Sequence, residues 1–406
     1  MTGRASPSPA PGRRVKRALG QAWERLSHGE SGSLPVILGL VLLWAVFQGL
    51  NGNFFSPRNL SNLSVDIVGT GLIAVGIVFV LLIGEIDLSV GSVSGLAAAV
   101  FAVLNVNEGL PEWLALVIAV LAGALIGALH GFFFARFGVP AFVITLAGLL
   151  AWNGLTLYLL GQSGTINLDD QGLVAKLTSY YFHDVAAAYG LAALGAAAFF
   201  LAACRDRRRR KTAAMPYRPL REIAVRTGLI AAVAFAAAYV LNQFQGLPLA
   251  LLIFVVLVAA LDVLLRRTPY GRRVYALGGG VEAARRAGVR VAWVRVSVLT
   301  VSGTMAALGG LFLASRITSV GQPSTSGILV LNAIAAAVIG GTSLFGGHGR
   351  TWCAVLGMLV IQSISSGMAL LSIQSALQFM ITGGVLLAAV VLDSVSRRSQ
   401  KSRGRA

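Results

Sequence analysis

Apolar and polar positions in this chain are segregated into long blocks. From Pro35 onward twelve apolar runs follow one another, over 35–50, 64–84, 88–106, 113–135, 139–161, 185–204, 227–243, 247–265, 293–315, 328–346, 352–371 and 376–393. Each approaches the ~20 residues that a helix needs to cross hydrocarbon. A lipid-facing span must satisfy its own backbone groups, so helix is the assignment for all twelve. Two long polar interruptions, 205–226 and 266–295, punctuate the middle of the chain. The weakest boundary is Gly84–Ser89, where two runs nearly touch. Residues 1–34 are rich in Pro, Ser, Gly and Arg with no apolar core, which predicts a disordered basic cytoplasmic extension. No small-residue cleavage site follows the first apolar run, so this is not a signal peptide. Residues 35–393 form the expected transmembrane domain and 394–406 a basic cytoplasmic tail. The fold class expected is an all-α polytopic membrane protein of about 12 transmembrane helices.

Composition agrees. Of the 406 residues 56% are hydrophobic and 12% charged, whereas a soluble domain carries about a quarter charged. Lipid must therefore solvate much of the surface. A net charge of +18 raises the possibility of nucleic acid, but the charges sort by side. With the N-terminus in the cytoplasm, the outer loops hold only Arg58, Lys176 and Arg316 among basic residues, together with Glu108, Glu112, Asp169, Asp170 and Asp184. The other thirty of the 33 Lys and Arg fall inside, as the positive-inside rule requires. Both termini are then cytoplasmic, the partner is the lipid bilayer, and no nucleic acid is implied. Cys204 and Cys353 are far apart, and His28, His130, His183 and His348 are scattered, so no metal spacing or disulfide framework is present. His130 reads as a packed helix residue.

Several features in and between the spans carry candidate chemistry. The stretch Gly84-Glu-Ile-Asp87-Leu-Ser89-Val-Gly91 sets two carboxylates between apolar runs. Either a span breaks there and turns its backbone toward a cavity, as discontinuous transporter helices do, or it is a cytoplasmic turn in which Asp87 caps the next helix. Asp87 is architectural in both readings. A faint internal repeat relates 80–91 to 336–347, matching Ile83, Gly84, Leu88 and Gly91 to Ile339, Gly340, Leu344 and Gly347. Gly123, Gly127 and Gly131 form a small-xxx-small stripe for close helix packing. Asn153, Thr145, Ser302, Thr304, Asn332 and Gln362 are polar within spans. They either line a path or bond helix to helix. Gly340, Gly341 and the glycines that follow imitate a phosphate loop, but Gly347-His348 stands where Lys-Ser/Thr is required. No such motif occurs elsewhere, so transport driven by ATP needs the ATPase on another chain. Buried Asp, Glu, Lys and His are too sparse for a proton-coupled relay, and no convergent catalytic set is visible, which argues against an enzyme.

The loop 266–295 carries eight arginines and one acid, Glu282. The positive-inside rule accounts for the arginines. It does not account for Gly278-Gly279-Gly280, a breaker, followed by helix-favouring Glu282-Ala283-Ala284-Arg285-Arg286 and the terminator Gly288. A short helix held between two spans suits a lever for a soluble partner.

At these residues the chain resembles the membrane-spanning subunits of bacterial ABC importers for monosaccharides, the ribose, xylose and arabinose permeases. Four ordered blocks carry the likeness: Gly84–Gly91, Val139–Gly148, Tyr270–Val291 and Leu331–Gly347. The resemblance implies a non-enzymatic transport subunit of the bacterial plasma membrane. It would pair with a second permease copy as a homodimer, a cytoplasmic ATP-binding subunit and an extracytoplasmic sugar-binding protein. ATP would sit on the partner, with no cofactor on this chain. The turn Glu282, Ala283, Ala284 would belong to the element that docks on the ATPase, with Gly279, Arg285 and Gly288 around it. Chain length and the basic insert 205–226 look like the xylose-type branch. Glu85 replaces Gly of the family pattern, Gly280 replaces Asn, and Arg286-Ala287 replace Leu-Ser. The alternative is a secondary, ion-coupled carrier of sugar or another small solute, working alone.

Overall fold

The computed structural model describes residues 34–321, 326–374, 376–384, 387 and 391. The proposed extension 1–34, all but its last residue, and the tail 394–406 lie outside the described residues. Fourteen helices are labelled here: α1 (Leu34–Leu50), α2 (Pro57–Leu82), α3 (Val90–Ala102, continued by a π turn Val103–Asn107), α4 (Glu112–Phe137), α5 (Ala141–Leu160), α6 (Leu173–Ser179), α7 (Val185–Thr212), α8 (Leu220–Asn242), α9 (Leu249–Arg267), α10 (Pro269–Gly279), α11 (Val281–Arg286), α12 (Val291–Ile317), α13 (Ser326–Ile339) and α14 (Thr351–Leu370). Among the described residues nine helices are long and apolar enough to span a bilayer, and Pro35–Leu50 and Gly327–Ile339 are shorter apolar helices. These eleven coincide with the first eleven predicted spans. The twelfth, 376–393, lies partly outside the described residues, with 376–384 helical. The chain is an all-α polytopic membrane protein.

The core is organised around α2. Its apolar window is 94% buried, because α12, α14, α13 and α9 pack on it from several sides. α12 lies along α4 through the glycine stripe. A Cβ at Gly123 would come 2.7 Å from Gly303 O, one at Gly127 2.2 Å from Leu299 O, and one at Gly131 2.6 Å from Val296 Cα. Only glycine permits backbones that close. Two short antiparallel pairs tie the connecting segments together. β1 (Thr165–Asn167) pairs with β4 (Ser319–Gly321), and β2 (Tyr181–Phe182) with β3 (Leu247–Pro248). The Glu112 carboxylate accepts from the N–H groups of Leu173 and Val174 at the start of α6, as an anion at a helix N-terminus should.

Both polar interruptions between the spans are largely helical. α7 continues past its apolar run to Thr212, and only 213–219 separates it from α8. Arg and Lys are good helix formers, and cations suit a C-terminal helix end. In 266–295 there are two short helices instead of one, and Gly278 and Gly279 end α10 rather than forming a free hinge before it.

Candidate functional site

The element between α9 and α12 is built from local signals. Thr268 caps α10, its Oγ1 accepting from Gly271 N–H at 3.4 Å, with Pro269 at the first helical position. The chain breaks at Gly280, and α11 makes a turn and a half. Gly288, at φ +80°, ends it. Gly288 N–H donates to Arg285 O and Val289 N–H to Ala284 O, each at 3.0 Å, the paired bonds of a Schellman stop. Ala284 is buried, which pins α11 to the bundle and turns its other face outward. Glu282 and Arg285 form an exposed ion pair of 2.9 Å on that face, with Ala283 exposed beside it. A cleft of about 440 Å³ lined by Arg273, Gly288, Arg290 and Trp293 opens next to it. Burial pushes the Tyr270 hydroxyl above its usual pKa, against the hydrogen bond from Ser297 that lowers it, so Tyr270 stays neutral where it packs edge-on against Trp293.

α10 is seated on the ends of the two repeated segments. A Cβ at Gly278 would lie 1.8 Å from Leu82 O, at the end of α2, and 2.6 Å from Gly347 N. Gly347 N–H itself donates to Leu82 O at 2.9 Å, and Tyr275 Oη–H to Gly349 O at 2.8 Å. The ends of α2 and α13 are alike. Gly84 at φ +78° and Gly341 at φ +104° each close a Schellman pair: Gly84 N–H to Leu81 O and Glu85 N–H to Val80 O, Gly341 N–H to Val338 O and Thr342 N–H to Ala337 O. The structural correspondence is Gly84 with Gly341, one residue beyond the match of Gly84 with Gly340 read from the sequence. Gly340 has another task, because a Cβ there would strike Cys353 O of α14 at 1.8 Å. Glu85 is half-buried beside this junction. Its burial pushes the carboxyl above the usual carboxylate range, and the Arg295 charge pulls the other way.

Past Gly84 the chain returns into the bundle before α3 begins, and here Asp87 is buried. Asp87 Oδ1 accepts from Ser89 N–H at 2.9 Å and Ser89 Oγ–H at 2.6 Å; Oδ2 accepts from Ser302 Oγ–H at 2.8 Å. Ser302 stands eleven residues into α12, roughly 16 Å along its axis from Val291. Hydroxyl groups of the chain, on Ser89 and Ser302, bond to both carboxylate oxygens of Asp87. Beyond Ser89 the network continues. Ser89 Oγ lies 3.2 Å from His130 Nδ1, and Trp152 Nε1–H donates to His130 Nε2 at 3.0 Å. An indole N–H only donates, so Nε2 is bare and the neutral ring carries its proton on Nδ1, facing Ser89. Leu88 N–H is taken by Thr145 Oγ1 at 3.1 Å. One short segment thus ties α3, α4, α5 and α12 together.

Of the residues singled out from the sequence, Gly84, Asp87 and Ser89 join this junction, and Gly91 is buried in the first turn of α3. Asn153 is half-buried next to Trp152 on α5, and Asn332 is half-buried on α13, which packs on α2 and α14. Gly279 is exposed, and a Cβ there would meet nothing within 4 Å. Sequence reasoning missed His130 as the partner of Ser89 and Trp152 as the partner of His130. The available signal was the cost of a lone imidazole within an apolar helix, which demands a partner. Among the described residues no group of three His, Cys, Asp or Glu could hold a metal ion.

Comparison with known proteins places this geometry. Residues 59–390 match the family described as branched-chain amino acid transport system / permease component. The xylose transport system permease protein of Escherichia coli (strain K12) is 36% identical over 348 residues, which is 86% of this chain and 88% of that protein. The ribose import permease protein of Bacillus subtilis (strain 168) is 32% identical over 360 residues, 89% of this chain and 92% of the relative. The L-arabinose transport system permease protein of Escherichia coli (strain K12) is 29% identical over 386 residues, 95% of each. No solved structure matches.

Proposed function

Since the chain belongs to the branched-chain amino acid transport system / permease component family, we propose that it is the membrane subunit of an ATP-driven importer for a monosaccharide of the xylose, ribose and arabinose class. The sugar permeases align with it nearly end to end, which favours sugar over the amino acids in the family description. Two copies of the chain form the path. A cytoplasmic ATPase engages the exposed Glu282–Arg285 face of α11, and an extracytoplasmic sugar-binding protein delivers the substrate.

The observation that carries this reading is the seat of α10 on Leu82 and Gly347. A push on α11 reaches α2 through backbone contacts, which transmit force without side-chain slack. The same push reaches α12, whose Ser302 holds the re-entrant segment through Asp87. Reconstitution in liposomes with the ATPase and binding protein, followed by uptake of labelled xylose, ribose, arabinose and leucine, tests the reading. Sugar accumulation is expected only with ATP, and Glu282→Lys abolishes it while the amount of protein in the membrane is unchanged. Sugar uptake on an ion gradient without the ATPase would make the chain a secondary carrier, and leucine uptake would make it an amino-acid permease.

A further inference from the structure

We propose that the cytoplasmic tip of the α7–α8 hairpin binds anionic phospholipid headgroups of the inner leaflet, an inference independent of the substrate and of the ATPase. The apolar part of α7, 185–204, is about 30 Å long as a helix, the thickness of the hydrocarbon. The helix continues unbroken through Arg207–Lys211 to Thr212, so its basic residues stand at headgroup depth. α8 returns through the same level with Arg221 and Arg226 in its first turns. The only two acids of the segment are already engaged. Asp206 pairs with Arg210 at 3.0 Å, and Glu222 holds Arg226 at 2.8 Å and Arg218 at 3.6 Å. Arg205, Arg207, Arg208, Arg209, Lys211 and Arg221 have no carboxylate partner among the described residues.

Arg207 shows what is missing. Its guanidinium lies 5.6 Å from the centre of the Tyr217 ring, and its Nε is buried without an acceptor. The positive-inside rule puts cations on this side of the membrane, but it does not say what neutralises the six without a carboxylate. A phosphate oxygen is the acceptor that an arginine fork takes best. Lipid, rather than protein, is the neighbour in place to supply it. α7 and α8 pack chiefly on each other, and only 11% of each apolar window is buried, the lowest of the nine spans. Exposed Met215, Tyr217 and Leu220 stand among the cations, and apolar groups mixed with arginine at one level form an interfacial surface.

The test uses the full chain in neutral detergent, titrated with phosphatidylglycerol or phosphatidylcholine, with bound lipid counted by native mass spectrometry. Phosphatidylglycerol is expected to bind at least tenfold more tightly, less so as salt is raised. Replacing the six unpaired cations by Gln is expected to remove the preference, and Arg207→Gln alone to weaken it severalfold. Millimolar glycerophosphate is expected not to displace the lipid, which separates a headgroup in its leaflet from free phosphate. Labelling of Ala214→Cys in a chain lacking Cys204 and Cys353 checks that the six-fold variant keeps its orientation. If it inverts, Arg207→Gln carries the test, because the remaining cations still hold the hairpin inside. Equal binding of the two lipids, or an unchanged preference in correctly oriented variants, overturns the proposal. So does loss of a second copy or of the ATPase from the variants with lipid binding intact, which would assign the tip to protein.

Discussion

The neighbouring glycines Gly278 and Gly279 should respond oppositely to the same substitution. In Gly278→Ala the new Cβ falls 1.8 Å from Leu82 O, 2.6 Å from Gly347 N and 3.0 Å from Leu82 C. That is roughly 1.5 Å short of van der Waals contact, and all three atoms are backbone, so no side chain can rotate away. Either α10 lifts off α2, or the Gly347 N–H to Leu82 O bond opens. Overpacking of this kind costs about 1–3 kcal/mol, and losing the hydrogen bond adds about 1 kcal/mol. Weakening the seat by ~2–4 kcal/mol lowers the ratio of seated to unseated α10 roughly 30-fold or more. Under the proposed function, ATP-dependent sugar uptake at matched membrane abundance should fall at least tenfold, and the midpoint of thermal unfolding of the purified chain should drop. Gly279→Ala introduces a Cβ with nothing within 4 Å and gains helix propensity of up to about 1 kcal/mol, so its uptake and melting should match or exceed the parent. Parent-like uptake and melting in Gly278→Ala, or an equal loss in Gly279→Ala, would refute the claim that α10 works through its seat on α2.

Further outcomes follow from the same geometry. Asp87→Leu strands Ser89 N–H and the Ser302 hydroxyl and should cost about 3 kcal/mol or more, Asp87→Asn about 1–3 kcal/mol, and Ser302→Ala the least; a melting series in any other order would show that the network does not hold the segment. Gly288→Ala puts a Cβ at φ +80° and should destabilise the end of α11 by about 1–2 kcal/mol, read as faster amide hydrogen exchange over 281–289 with the spans unchanged. Glu85 has its carboxyl pKa raised by burial from the usual 4.5, so the folded state binds this proton more tightly than the unfolded state. The stabilisation is fully present below pH 4.5 and is lost as pH rises through the folded-state value. Glu85→Gln should therefore flatten the decline of melting temperature between acid and neutral pH, and an unchanged slope would contradict the shift.

Sequence and tertiary structure divide this protein along a physical line. The bilayer acts on each segment separately, by length, apolarity and the side on which arginine falls. Eleven apolar helices were accordingly legible from residues alone. So were Gly288 as a helix stop and the family likeness of 270–291 and 331–347, because these depend on neighbours in the chain. A hydropathy pattern registers where lipid ends and has no signal for where a helix ends, so the continuation of α7 to Thr212 and the helix α10 before Gly280 came only with the structure. What Asp87 does was undecidable from its own neighbourhood. Its partner Ser302 lies 215 residues away, and His130 reaches Ser89 across 41 residues, so only packing could supply the partners of this segment. The same holds for Gly278 and Gly279, identical residues side by side in one helix. Leu82 stands against one of them and open space against the other, and that difference exists only once α2 and α10 have met.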